Sequence, residues 1–265
     1  MSNASWDAAV RQFATMRLVS VLPDTPVAEI QALLEREDIS AVPIVDRQGV
    51  LCGIFSTTDL LRIARIEMES PRALARVWLP PHRVSDVMRK EVVAVDENAS
   101  LREAATKMLE RRIHRVVVTR HASPVGILGT RDAMRAILAA RVMDPLSQVM
   151  TTDLQTIALG ETIDVAIGQL TDANVHGIVV VDGSWPVGVF TQREALKARA
   201  LPHVLRQGPV EQVMSYETIC HDVSTPLYRI AGQSIEMNVR RILAVDSRRL
   251  VGIATGFDLL RVMRA

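Results

Sequence analysis

The sequence predicts a mixed α/β (α+β) fold built from four copies of one β-α-β-β-α unit. Three observations predict it. A glycine, a short apolar run, a hydroxyl residue and an acid three positions later make up Gly252-Ile253-Ala254-Thr255-Gly256-Phe257-Asp258, and the phrase returns over Gly53 to Asp59, Gly126 to Asp132 and Gly188 to Glu194. Ahead of each copy lies an amphipathic helical pattern, then two short apolar runs parted by turn residues. Three units also open alike, with Val87-Met88, Val149-Met150 and Val213-Met214, and Thr15-Met16 is a looser fourth. A recurrence of roughly 60 to 75 residues exceeds the usual solenoid periods, so each copy reads as a small folding unit.

After an N-terminal segment, 1–15, the first unit covers 16–66. Thr25-Pro26 suits a helix cap followed by the first helical position, where the missing proline N–H costs nothing. Val27, Ile30, Leu33 and Leu34 then line one face. Ala41 to Val45 and Val50 to Phe55, separated by Asp46-Arg47-Gln48-Gly49, form a hairpin signature, and a helix from about Thr57 carries Leu60, Leu61 and Ile63. A connector, 67–83, is punctuated by Pro71, Pro80 and Pro81, with room for a helix between the prolines.

The second unit, 84–140, has the clearest helix: Ser100-Leu101-Arg102-Glu103 has capping-box spacing, and Leu101, Ala104, Ala105, Met108 and Leu109 make one stripe. Its hairpin pairs Val116 to Val118 with Val125 to Leu128, turning near His121-Ala122-Ser123. Beyond a linker, 141–145, the third unit, 146–200, sets Ile163, Ala166, Ile167 and Leu170 on a helix and folds a hairpin around Gly183. A second linker, 201–209, leads to the fourth unit, 210–265, which repeats the Thr225-Pro226 helix start and pairs Ile242 to Val245 with Leu250 to Ala254.

Composition narrows the function classes. With 48% hydrophobic but 3% aromatic residues, the cores rest on Val, Ile, Leu, Ala and Met. A net charge of +1 supplies no global field toward nucleic acid, and no nucleic-acid partner is expected. The 2 cysteines, Cys52 and Cys220, make no disulfide framework, and the 6 histidines are too dispersed for a metal centre. Neither a Gly-x-Gly-x-x-Gly loop nor a P-loop occurs, and nothing places a catalytic partner beside Asp132, Asp144 or Asp153, so enzymatic activity is not expected. Met1 to Val10 lacks a basic region followed by an apolar stretch, and no apolar run of about 18 residues is present; a cytoplasmic protein without a membrane segment is expected.

The four units resemble cystathionine-β-synthase (CBS) domains, whose usual order is β-α-β-β-α and which occur as tandem pairs called Bateman modules. The likeness covers almost the whole chain from Met16 onward, and the organisation is similar to that of the γ subunit of AMP-activated protein kinase. It implies two pseudo-twofold modules, repeats one with two and three with four. It also implies a homodimer, and a regulated enzyme or transporter as partner. The implied ligand is an adenine nucleotide (AMP, ADP or ATP) bound as a regulator, with no cofactor required. S-adenosylmethionine sensing, or a scaffold whose clefts bind no nucleotide, are the alternatives.

The resemblance also assigns roles. In the family's Ser/Thr-x-x-Asp motif the carboxylate accepts from ribose hydroxyls and the hydroxyl residue contacts phosphate, which suits two acceptor oxygens facing a vicinal diol. Ser56 with Asp59 and Thr255 with Asp258 carry the full motif, implying one ribose site per module. Repeat two keeps Asp132 but has Gly129 at the hydroxyl position, with Thr130 beside it; repeat three keeps Thr191 but has Glu194, one methylene longer. The same spacing is also that of a helix-capping box, worth about 1 kcal/mol without any ligand. His114-Arg115 before a valine run is similar to the phosphate-facing pair of the kinase γ subunit. Arg241 stands at the matching place in repeat four, and repeat three retains His176. Arginine's planar fork suits phosphate, though Arg115 could equally belong to an exposed rim. An adenine wall is expected from the segment containing Val42 and Pro43, and from its counterpart, Val239 to Leu243.

Overall fold

The computed structural model describes residues 6–37, 39–63, 65–67, 76–78, 80–173, 175 and 177–264, with backbone alone at 61, 65–67 and 76–78. The chain divides into two units, one mainly Ser5–Ile66 with Val77–Ala133, the other mainly Met134–Val262. They hold the first and the second pair of repeats.

Repeat one comprises α1 (Val27–Arg36), β1 (Ala41–Val45), β2 (Leu51–Ser56) and α2 (Thr57–Ile63). The short strands β3 (Arg65–Glu67) and β4 (Arg76–Trp78) pair with each other, while the helix expected between Pro71 and Pro80 falls mostly outside the described residues. Repeat two comprises α3 (Val84–Val87), β5 (Ala94–Asp96), α4 (Leu101–Glu110), β6 (Arg115–Arg120), β7 (Ser123–Gly129) and α5 (Thr130–Ala139). Repeat three follows with β8 (Thr156–Ala158), α6 (Ile163–Asp172), β9 (Gly177–Asp182), β10 (Trp185–Thr191) and α7 (Gln192–Arg199), then the short α8 (His203–Arg206). Repeat four has β11 (Thr218–Asp222), α9 (Leu227–Glu236), β12 (Arg241–Asp246), β13 (Arg249–Thr255), α10 (Gly256–Leu259) and α11 (Arg261–Arg264).

Repeats two, three and four share one sheet plan. The first strand runs parallel to the second across a helical crossover, and the second pairs antiparallel with the third. Repeat one has a Val21–Ile44 bridge where its first strand would lie. Alternation along the strands explains their unbroken apolar runs. Ile178 and Val180 pack under the helices of repeat three with Ile163, Leu170 and Phe190, while Val179 and Val189 meet Leu243 from the sheet of repeat four. Both faces are buried, so no polar alternation is left. Among the described residues no helix is long and apolar enough to cross a membrane.

The segment leading into each repeat crosses to the other member of its pair, and it does so at two points. At the first it caps the partner's long helix. Val27 N donates to His82 O at 3.0 Å, Leu101 N to Ala8 O at 3.0 Å, Ile163 N to Gly208 O at 3.0 Å and Leu227 N to Asp144 O at 2.9 Å. This corrects the expected helix starts: Pro26 and Pro226 are the cap residues, with ψ of 139° and 140°, and neither helix has a side-chain cap. Bridges Pro26–Arg83 and Pro145–Pro226 hold those prolines extended, so a backbone carbonyl replaces the threonine cap. At α4 Ser100 Oγ does accept from Glu103 N, at 3.1 Å, but Glu103 turns to Lys107 instead of closing the box.

The second crossing point explains two of the repeated signals at once. A Cβ on Gly126 would stand 2.7 Å from Thr15 O and 3.1 Å from Met16 Sδ; on Gly188, 2.8 Å from Ser215 O and 3.0 Å from Met214 Sδ. Met88 and Met150 cover Gly53 and Gly252 in the same way. The repeated glycine and the repeated methionine are therefore two sides of one contact, closed by paired backbone bonds such as Val189 N to Ser215 O at 3.0 Å and Ser215 N to Val189 O at 2.8 Å. The segment ahead of repeat one takes part equally: Trp6 and Val10 are buried, and Val10 N donates to Ala99 O at 2.8 Å.

A half-buried histidine in this frame has a shifted pKa. His221 lies on β11 with its Nε2 buried and unbonded among the described residues. Burial pushes its pKa below the ordinary histidine value, and a hydrogen bond with Gln233 pulls partly the other way. Above about pH 6.5 the imidazole is neutral in both folded and unfolded chain. As pH falls, the unfolded chain takes the proton first, so stability present above that point is lost through the lower folded value. The urea midpoint is expected to drop more steeply from pH 7 to pH 5 in the wild type than in His221→Gln; equal slopes would contradict this.

Candidate functional site

All four acids of the repeated phrase bond back to the backbone three residues earlier. Asp59 Oδ2 accepts from Ser56 N at 3.1 Å, Asp132 Oδ2 from Gly129 N at 2.8 Å, Glu194 Oε2 from Thr191 N at 3.2 Å and Asp258 Oδ2 from Thr255 N at 2.8 Å. Where a hydroxyl is present it donates to the same oxygen: Ser56 Oγ at 2.6 Å, Thr255 Oγ1 at 2.8 Å, and Thr191 Oγ1 likewise. One carboxylate oxygen in each repeat is thus committed to capping the helix that follows. Gly129 brings no hydroxyl to Asp132, and Thr130 begins α5 with its N–H on His114 O at 3.1 Å.

The other oxygen distinguishes the repeats. Asp59, 1% exposed, gives Oδ1 to Arg89 Nε at 2.8 Å, with Arg62 Nη2 at 3.7 Å. Asp258 gives Oδ1 to Arg261 Nη2 at 3.1 Å. Both Arg62 and Arg261 stand three residues after the acid and also reach the lead-in of the paired repeat, Arg62 at Val87 O (3.3 Å) and Arg261 at Val149 O (2.9 Å). In repeat three the position is Lys197, and among the described residues Glu194 Oε1 receives no hydrogen bond.

Glu194 instead lines a cleft of about 570 Å³ between repeats three and four. One wall is the start of α7, with Arg193, Glu194 and Lys197; another is the crossing lead-in, Val213 to Ser215, running on to Tyr216, Glu217 and Thr218; Met237 and Val239 close the third. Arg241, at the start of β12, is held close to this charge cluster. Burial lowers its pKa, Arg240 and Arg193 act in the same direction, and Glu194 and Glu217 oppose them. A guanidinium stays charged through such a shift, so the cleft combines fixed cations, an acceptor oxygen and an apolar wall.

The structure therefore brings Glu194, bonded by Thr191, and Val239 to one cleft, with Arg241 within electrostatic reach of Glu194. Ser56 with Asp59, and Thr255 with Asp258, sit at tied helix starts. Val42 is fully buried in the core of repeat one with Ile30 and Phe55, and Pro43 is buried beside it in β1. His114 is exposed and Arg115 half-buried at the start of β6, opposite Gly129. His176 lies outside the described residues. Lys197, Glu217 and Met237 escaped the sequence reading; only Lys197 had a usable signal, as the lysine at a position that is arginine in the other three repeats. Among the described residues no three His, Cys, Asp or Glu side chains cluster to hold a metal.

Comparison with known proteins agrees with this architecture. The CBS domain family matches residues 10–65, 84–139 and 146–201. An uncharacterized protein of Methanocaldococcus jannaschii, MJ1404, is 26% identical over 271 residues, covering 95% of this chain and 61% of that one. The A-adding tRNA nucleotidyltransferase of Geobacter sulfurreducens is 28% identical over 268 residues, covering 98% of this chain and 30% of that one. The chain thus spans less than two thirds of the length of these relatives. The fold superposes on the crystal structure of M. jannaschii protein MJ1225, a proposed archaeal homologue of the AMP-activated protein kinase γ subunit, with a TM-score of 0.73 and 17% identity over 96% of this chain and 99% of that one. With three repeats matched in sequence and the fourth built on the same order of strands and helices, the chain belongs to the CBS domain family.

Proposed function

We propose that this protein is a ligand-sensing regulator that binds an adenosine-containing molecule, an adenine nucleotide first, in the cleft between repeats three and four. The observation that carries this is Glu194, which lines the cleft although only 8% exposed: its Oε2 is fixed by Thr191, and its Oε1, with no hydrogen bond among the described residues, is the acceptor for a ribose diol. Met237 and Val239 supply an apolar face for the base, while Arg193 and the nearby Arg241 supply charge for phosphate. Ligand bridges α7 of one repeat and the β11 and β12 ends of the other, so occupancy favours one arrangement of the pair by its differential affinity for that arrangement. The partner that reads it is an enzyme or transporter, on a longer polypeptide or on a separate one, and the working assembly is a cytoplasmic homodimer.

A thermal-shift panel with AMP, ADP, ATP and S-adenosylmethionine tests the reading, since a ligand of the native state raises the melting temperature. Glu194→Gln keeps a capping side chain but loses the anionic acceptor, and is expected to weaken binding about tenfold. No shift with any of the four at millimolar concentration would favour a scaffold that binds no nucleotide.

A further inference from the structure

We infer that Lys197 is a specificity-determining residue whose contribution is an absence: by not being arginine, it leaves Glu194 Oε1 open to ligand. The inference rests on the cleft reading above and adds what selects this repeat for binding. Repeats one and four supply the contrast. In repeat four Arg261, three residues after the acid, spans two acceptors, Nη2 at the outer carboxylate oxygen and Nη1 at the carbonyl of the valine that precedes the lead-in methionine; in repeat one Arg62 Nη2 holds the matching valine carbonyl and lies near the outer oxygen of Asp59. In repeat four the planar fork makes both contacts from one side chain, tying helix start to crossing segment over the spot where a diol would sit. In repeat one Arg89 supplies the hydrogen bond to the outer oxygen of Asp59. Repeat three has all the parts except the fork. Glu194 is there, Val213 lines the cleft beside Lys197, and Lys197 bonds to neither among the described residues. An ammonium on a flexible stem is a point donor and stays in solvent, where Lys197 is exposed.

The test is Lys197→Arg against Lys197→Met, with AMP and S-adenosylmethionine as calorimetric probes on the full chain. Lys197→Arg is expected to weaken the probe that binds the wild type by roughly tenfold or more while the ligand-free melting temperature holds or rises. Lys197→Met, which leaves the carboxylate open, is expected to lose less. A readout without ligand is carbodiimide-driven amidation of Glu194 with glycine ethyl ester, followed by peptide mass spectrometry: Lys197→Arg is expected to protect Glu194, and Lys197→Met is not. Unchanged affinity and unchanged labelling in Lys197→Arg would overturn the inference, as would an equal loss of affinity in both variants. If the wild type binds neither probe, the cleft reading fails, and the labelling comparison still decides whether arginine closes the acid.

Discussion

Gly188→Ala is expected to destabilise the second unit by about 2 kcal/mol and to weaken ligand binding in its cleft. The added methyl has no room: its nearest neighbours would be Ser215 O at 2.8 Å and Met214 Sδ at 3.0 Å. The sulfur can swing away, but the carbonyl is pinned by reciprocal bonds between Ser215 and Val189. Relief must come from moving the strand or the crossing segment, which is the overpacking case. Met214 and Ser215 also line the cleft, so the same displacement reaches the binding surface. Urea unfolding and calorimetry on one preparation would check both halves. Gly168→Ala is the control, because a Cβ there meets nothing within 4 Å and the residue lies inside α6; helix propensity alone predicts a gain of about 0.5–1 kcal/mol. Equal behaviour of the two variants would refute the contact.

Asp59→Ala is expected to cost the first unit about 2–3 kcal/mol, from the lost cap and the lost bonds to a charged acceptor, with ligand affinity in the second unit unchanged. The carboxylate is 1% exposed and answers Ser56 N, Ser56 Oγ and Arg89 Nε. Removing it leaves the Ser56 donors unpaired. The Arg89 pair adds little on its own, since its guanidinium is over half exposed and reaches water. Asp59→Asn keeps the volume and one acceptor, and is expected to fall between. Denaturant melts of the three proteins, with a parallel binding titration, separate a structural acid from a ligand contact: a large loss of affinity at unchanged stability would return Asp59 to the ligand.

The repeat itself was plain in the sequence because its signals are local. Helix stripes, hairpin turns and the phrase ending in an acid all fall within about ten residues, where periodicity and turn chemistry act. The crossing lead-ins were not legible. Gly53 and Met88, or Gly126 and Met16, each stood out as recurring residues, yet nothing in a linear pattern joins a methionine to a glycine in another repeat. The same limit hid the caps of α1 and α9, where Thr25-Pro26 and Thr225-Pro226 suggested a side-chain cap and a carbonyl from the paired repeat did the capping. At the acid motif the spacing fits cap and ligand contact alike. What separates the repeats is the side chain three residues on, together with Arg89 arriving from the lead-in of repeat two.

The crossing lead-ins also set an order of events for the growing chain. Thr15 leaves the ribosome well before its strand partner Ile127, which belongs to the end of the next repeat, and Ile54 waits for Arg89. Neither repeat can finish its sheet edge alone, and the first N–H of each long helix is bonded by a carbonyl of the other, so the pair, not the repeat, is the smallest piece that folds cooperatively. Such long sequence separation slows folding. It also means that cutting the chain at repeat boundaries would strand a lead-in on one fragment and expose its seat, apolar and ready to aggregate, on the other.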